Sequence, residues 1–265
     1  MKNKGLIITL IIILFIIVIG LIAFLCMCLT GNLNLRFGIN MWGRKSNNII
    51  YDTSYEIDPI DNLEILSTAG NVIFKESTDG KIRITAYGQD NNNLEVKLNE
   101  KKLKVDYSKY ENVGWGFNTY INDIIVYIPK DYSKEINIDI EYGDVEIIDL
   151  ENATINIKED CGSAKLGKIK NISIDNDYGD VEIEEILNKF TIESNCGDVK
   201  INKVQIAENS YIKSDYGDVK IKETNDIYID AKVDLGDIKV SQNNRHSEIT
   251  LKIESDCGDI KVGDN

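Results

Sequence analysis

From Ile136 to Val262, apolar and polar residues alternate with period two, and glycine interrupts the alternation at regular intervals. The interrupting segments are EYGDVEI (141–147), DCGSAKL (160–166), DYGDVEI (177–183), NCGDVKI (195–201), DYGDVKI (215–221), DLGDIKV (234–240) and DCGDIKV (256–262). Their glycines are Gly143, Gly162, Gly179, Gly197, Gly217, Gly236 and Gly258, spaced 19, 17, 18, 20, 19 and 22 residues apart. Two residues after each glycine stands Val145, Ala164, Val181, Val199, Val219, Ile238 or Ile260, and four after it Ile147, Leu166, Ile183, Ile201, Ile221, Val240 or Val262. A charged residue separates each pair, which describes a strand with one apolar face. Five before the glycine stand Ile138, Ile157, Ile174, Ile192, Ile212, Ala231 and Ile253. Seven before it stand Ile136, Ile155, Ile172, Phe190, Ser210, Ile229 and Leu251. The inward parity reverses at the glycine, so the chain must bend or bulge there, with glycine supplying the dihedral freedom.

A strand–corner–strand unit of about 19 residues cannot bury its apolar face alone. Stacking like on like, about 4.8 Å per coil, solves this. The pattern predicts an all-β protein whose residues 136–265 form a seven-coil, right-handed parallel β-solenoid (β-helix) with successive turns lying over one another. LEILSTAGNVIF (63–74) fits the same template around Gly70 as a divergent first coil. Residues 75–130 read as a small antiparallel β section near the N-terminal end, with a hairpin at NEKK and Pro129 closing its last strand. Residues 51–135 thus hold the first coil and the antiparallel section. The residue before each glycine (Tyr142, Cys161, Tyr178, Cys196, Tyr216, Leu235, Cys257) has inward parity and is expected in the core, its cysteines being small buried hydrophobes rather than redox or metal thiols.

Ahead of the repeats the pattern changes completely. Gly5–Leu29 is an apolar run without charge. It is long enough to span a bilayer, longer than a signal-peptide core, and lacks an A-x-A cleavage site. It predicts one transmembrane helix over 5–29, after a short cytoplasmic tail (1–4) and before a linker (30–50). Lys2 and Lys4 favour the N-terminus inside, which places the C-terminal domain outside the cytoplasm at the cell membrane. The first 45 residues hold five basic and no acidic side chains, leaving 25 basic and 44 acidic in the remainder, a net of −19. Such a domain repels phosphate backbones and anionic headgroups, which excludes nucleic acid as a partner and holds the domain off the bilayer.

Three features carry candidate chemistry. Acidic columns flank the glycines: Asp144, Asp180, Asp198, Asp218, Asp237 and Asp259 follow them, with Ser163 the departure. Stacked carboxylates can hold a divalent cation, but Asp also suits a tight corner by bonding nearby amides, and the glycine-rich nonapeptides of calcium-binding β-rolls are missing. The loop 109–123 gathers Tyr110, Trp115, Phe117 and Tyr120, either a cap over the solenoid end or a platform for wall glycan. His246, the one histidine, lies in the loop SQNNRHSE, and no nucleophile elbow, H-E-x-x-H or phosphate loop occurs. No catalytic residue, metal or cofactor is expected.

The stretch IVYIPKDY (125–132) leading into INIDIEYGDVEI, followed by the GDV-x-I units, resembles the bacterial family of "putative adhesin" domains of unknown function. It is similar to the membrane-anchored proteins of lia-type cell-envelope-stress operons. The resemblance covers roughly 51–265 and implies a β-solenoid at the cell envelope, with no catalytic residues to carry over. The reading is therefore a non-catalytic envelope adhesin, scaffold or stress-response interaction domain. The alternatives are a binding module for cell-wall glycan or divalent cation, and, third, a polysaccharide-active enzyme. Exposed coil ends also leave room for self-association.

Overall fold

The expected columns stack. In a computed structural model, which describes residues 48–88, 94–108 and 123–263, strands on either side of each glycine pair in parallel with those of neighbouring coils. Ile136, Ile155, Ile172 and Phe190 lie in register, as do Ile138, Ile157, Ile174, Ile192 and Ile212. Past the corner, Val145, Ala164, Val181, Val199 and Val219 form the facing column. All are buried. Burial follows from the pleat: alternate residues of a strand point to one face, and stacking turns that face into a shared interior. A further column, Leu150, Ile169, Ile186 and Val204, lines a third wall seven residues past the glycine.

Two departures concern topology. The coils do not stack in chain order. The strand Ser210–Tyr216 pairs with Thr250–Cys257, which pairs in turn with Tyr228–Leu235. The Gly258 coil therefore sits between the Gly217 and Gly236 coils, and the Gly236 coil ends the stack. Charge explains the preference. Four residues before the glycine, the observed order places Lys213, Glu254 and Lys232 in succession, each beside its opposite. Chain order would set Lys213 against Lys232, a like-charge neighbour pair that costs stability. The 22-residue spacing before Gly258, the longest of the series, supplies the chain needed to step back inside.

At the other end, Leu63–Ile65 and Val72 pair with Ile136–Ile138 and Val145, so the divergent first coil is where the template put it. Residues 75–130 are only partly antiparallel. Glu95–Asn99 and Lys102–Tyr107 form the expected hairpin, turning at Glu100 with φ 51°. Ile49–Tyr55, Ile82–Tyr87 and Ile124–Ile128 are also joined antiparallel. Yet Lys102–Tyr107 and Ile124–Ile128 run parallel to the first coil's two strands and form another coil beneath it. Alternation could not reveal this, because it reports which face is buried and not which neighbour a strand takes.

The segments 1–4 and 5–29 and most of the linker 30–50 lie outside the described residues. Among the described residues no helix is long and apolar enough to cross a membrane. The described residues belong to one compact unit, Trp42–Asn265, within which the sheet runs without a break between Asn62–Ser67 and Glu135–Tyr142.

Candidate interaction surface

Each corner is built from two backbone-level devices. The glycine N–H donates to the carbonyl of the residue before the next coil's glycine, as from Gly162 to Tyr178 O at 2.9 Å. Gly179 has φ 145°, and a Cβ there would overlap the carbonyl of Gly162 in the adjacent coil. Only a residue without a side chain allows coils to approach this closely. The following aspartate forms a ladder. Its Oδ1 accepts the backbone N–H of its counterpart one coil on: Ser163 to Asp144 at 3.0 Å, Asp198 to Asp180 at 2.9 Å, and Asp218 to Asp198 at 3.0 Å. The ladder continues from Asp259 to Asp218 at 2.8 Å and from Asp237 to Asp259 at 2.9 Å, following the exchanged coil order. Ser163 makes the long rung, 3.4 Å from the Asp180 N–H. The Asp218 amide, then Lys200, holds the Asp198 carboxyl below its usual range. The acidic column thus serves the corner-bonding role, and among the described residues no three metal-ligating side chains converge.

The position before the glycine corrects the sequence reading. Tyr142, Tyr178, Tyr216 and Leu235 are not in the core but 59, 61, 63 and 70 % exposed, and Cys161, Cys196 and Cys257 are half-buried. Two consecutive residues, this one and its predecessor, both face solvent at the bulge, so the parity reverses one step earlier than expected. The inward position falls instead three before the glycine, at Ile140, Glu159, Asn176, Ser194, Ser214 and Ser255, all buried. Ser194 and Ser214 satisfy themselves on the carbonyls of Gly197 and Gly217. Asn176 donates to Glu159 Oε2 at 2.9 Å, while Glu159 Oε1 and Asn176 Oδ1 have no partner. Burial pushes the Glu159 carboxyl up to about 7, against the opposing pull of Asn176.

Because the last two coils exchange places, the exposed stripe reads Tyr142, Cys161, Tyr178, Cys196, Tyr216, Cys257, Leu235 along the stack. Tyrosine and thiol alternate from Tyr142 to Cys257, putting tyrosines about 9.6 Å apart. Cysteines are equally separated, beyond disulfide reach. The aspartate ladder runs along one side of the stripe, and Glu141, Asp160, Asp177, Asp215 and Asp256 along the other.

The sequence profile of the Toastrack family, DUF4097, matches residues 60–263. The chain belongs to this family. A "putative adhesin" from Bacteroides fragilis NCTC 9343 shares the fold, with TM-score 0.51 and 20 % identity over 82 % of this chain and 97 % of that one. A "putative lipid binding protein" from Parabacteroides distasonis ATCC 8503 aligns with TM-score 0.43 and 16 % identity over 82 % of this chain and 98 % of that one. No curated protein matches the sequence.

The aromatic loop Tyr110, Trp115, Phe117 and Tyr120 lies outside the described residues of the Toastrack domain. His246 is exposed, in a loop whose Asn244 side chain accepts its backbone N–H at 3.0 Å. The stripe was hidden from sequence reasoning by the parity rule. Glu141, Asp160, Asp177, Asn195, Asp215 and Asp256 stand before the Tyr and Cys positions, but a polar residue there is also what regular alternation requires, so no signal in the alternation could have found the stripe. For the ladder, Asp198→Ala is expected to cost about 1 kcal/mol in urea unfolding, one net hydrogen bond at a solvated corner. An equal stability for the variant would remove the ladder's structural role.

Proposed function

We propose that this chain is a non-catalytic envelope adhesin, scaffold or stress-response interaction domain. Its residues 5–29 hold it to the cell membrane, and the Toastrack domain stands outside the cytoplasm. The observation that carries this reading is the stripe of exposed Tyr and Leu. An enzyme gathers a few unlike groups at one point, whereas the exposed chemistry here repeats from coil to coil. A repeating surface offers many equivalent weak contacts to an extended partner, and tyrosine supplies large contact area at low entropy cost. The flanking carboxylates favour neutral or cationic partners over anionic ones.

Wall glycan is the second reading, favoured by one observation. Tyrosines recur at every second coil, a repeat close to that of one disaccharide in a β-1,4-linked chain, so successive rings can stack on equivalent sugars.

Replacing Tyr142, Tyr178 and Tyr216 together by Ser is expected to cut retention on wall preparations by about tenfold or more, as for loss of aromatic anchors. Thermal stability should barely change, because these side chains are exposed. Undiminished retention would sink the stripe as the binding surface. Release of soluble fragments from wall polymers by the purified chain would overturn the non-catalytic reading. Protease added to intact cells should degrade the domain, and full protection would overturn its placement outside.

A further inference from the structure

We infer that two copies of this chain associate through the open edge of the Gly236 coil. Tyr228–Leu235 pairs on one side only, with Thr250–Cys257, and Ile238–Val240 only with Ile260–Val262. Every other coil among the described residues is flanked on both sides. Side chains of the inward columns are left uncovered there. Ile238 is 43 % exposed, while its counterparts Val219 and Ile260 are buried; Ala231, Val233 and Val240 are half-buried. A strand edge of this kind is a template for pairing with another chain.

The edge is shielded at its start. The Asn243 side chain accepts the Ile229 N–H at 3.0 Å and donates to the Ile229 carbonyl at 2.8 Å, and the Asn244 N–H reaches Ile227 O at 3.0 Å. The stretch from Ala231 to Leu235 has no such cover. Its outward residues are Lys232 and Asp234, joined within the chain at 3.3 Å. In an antiparallel pairing centred on Val233, Lys232 of each copy lies opposite Asp234 of the other. Two reciprocal ion pairs then fix the register, and Val233 meets its equivalent on the inner face. This charge complementarity selects a second copy as the occupant.

The self-complementary register also sets the number of copies. At the opposite end of the stack, Glu95–Asn99 covers Lys102–Tyr107, and Ile82–Tyr87 covers Ile124–Ile128, both antiparallel. Glu95–Asn99 and Ile49–Tyr55 are each paired on one side only, so closure into an isologous pair rests on the self-complementary Lys232 and Asp234, which match a second copy of the same edge. A single coil edge is small beside the ~1,600 Å² of a standard interface, so association is reversible and concentration-dependent.

Sedimentation of the full chain in a density-matched detergent tests this. The expected result is a monomer–dimer equilibrium. Lys232→Asp, which sets a carboxylate opposite Asp234 of the other copy, should weaken it about tenfold or more. The exchanged pair Lys232→Asp with Asp234→Lys should restore it; circular dichroism should report both variants folded at the assay temperature, although each loses Lys232 beside Glu254 of its own chain. A wild-type chain that stays monomeric, dimers indifferent to Lys232→Asp, a double variant without rescue, or species growing beyond the dimer would each overturn the proposal.

Discussion

Gly179→Ala is expected to prevent folding of the central coils, or to lower stability by more than about 4 kcal/mol. The added methyl would occupy the space of the Gly162 carbonyl, which is backbone and held by its own coil. It would also force φ 145° on a residue with a Cβ, a region that only glycine enters freely. Neither problem can be relieved locally, because separating the two coils breaks the parallel ladder on both sides of the corner. Denaturant unfolding followed by circular dichroism measures the loss. Gly80→Ala is the control: Gly80 has φ 73° but nothing within 4 Å of a built Cβ, so it isolates the dihedral cost from the steric one. Equal effects at the two sites would show that coil contact is not the reason for the repeated glycine.

Glu159→Gln is expected to stabilise the protein above neutral pH. Glu159 is 1 % exposed, and burial raises its carboxyl from the ordinary 4.5 to about 7. A raised carboxyl pKa in the folded state means that folding favours the protonated form. The associated stability is complete below about pH 4.5 and is lost as pH rises through 7, where the folded chain must carry a buried charge. At about 1.4 kcal/mol per unit, this cost reaches at most about 3 kcal/mol at pH 8. Glutamine keeps the shape and can accept from Asn176 without ionising. The variant should therefore melt on the order of 5–10 °C higher at pH 8. Near pH 4.5 the two proteins should coincide. Asp198 has the opposite sign: its depressed carboxyl contributes above the unfolded pKa, and that contribution fades as pH falls. Wild type is thus penalised on both sides of its optimum, and the substitution removes the alkaline limb. A pH-independent difference between the two proteins would refute the assignment.

The departures from the sequence reading share one character. Parity counted without a break from Ile138 puts Tyr142 inward, and the same count does so for Tyr178, Tyr216 and Leu235. The register shows the fault, with residues 160, 177, 195 and 256 skipped where two neighbours share the outside. Alternation of hydrophobicity reports faces only while the pleat is regular, and the bulge lies at the very position where it fails. Ser194, Ser214, Asn176 and Glu159, three before the glycine, are polar yet buried, as their inward parity requires. They are inside because a local acceptor, or a neighbour in the column, takes part of their hydrogen bonding.

By itself the sequence determined that the chain is a stack of short strand–glycine–strand coils, that the positions seven and five before and two and four after the glycine face the core, covered in every coil but that of Gly236, and that Leu63–Phe74 begins the series. Those facts are local: each residue's choice between water and interior is repeated coil after coil, and repetition makes it readable. Only the tertiary structure decided which coils are neighbours, which way the corner side chain points, and where the stack is left open. These depend on matches between residues far apart in the chain, such as Glu254 between Lys213 and Lys232, and a column of like sequences has nearly the same apolar face in any order. Charge pairing and connector length break that degeneracy, and both act only once the coils are already stacked.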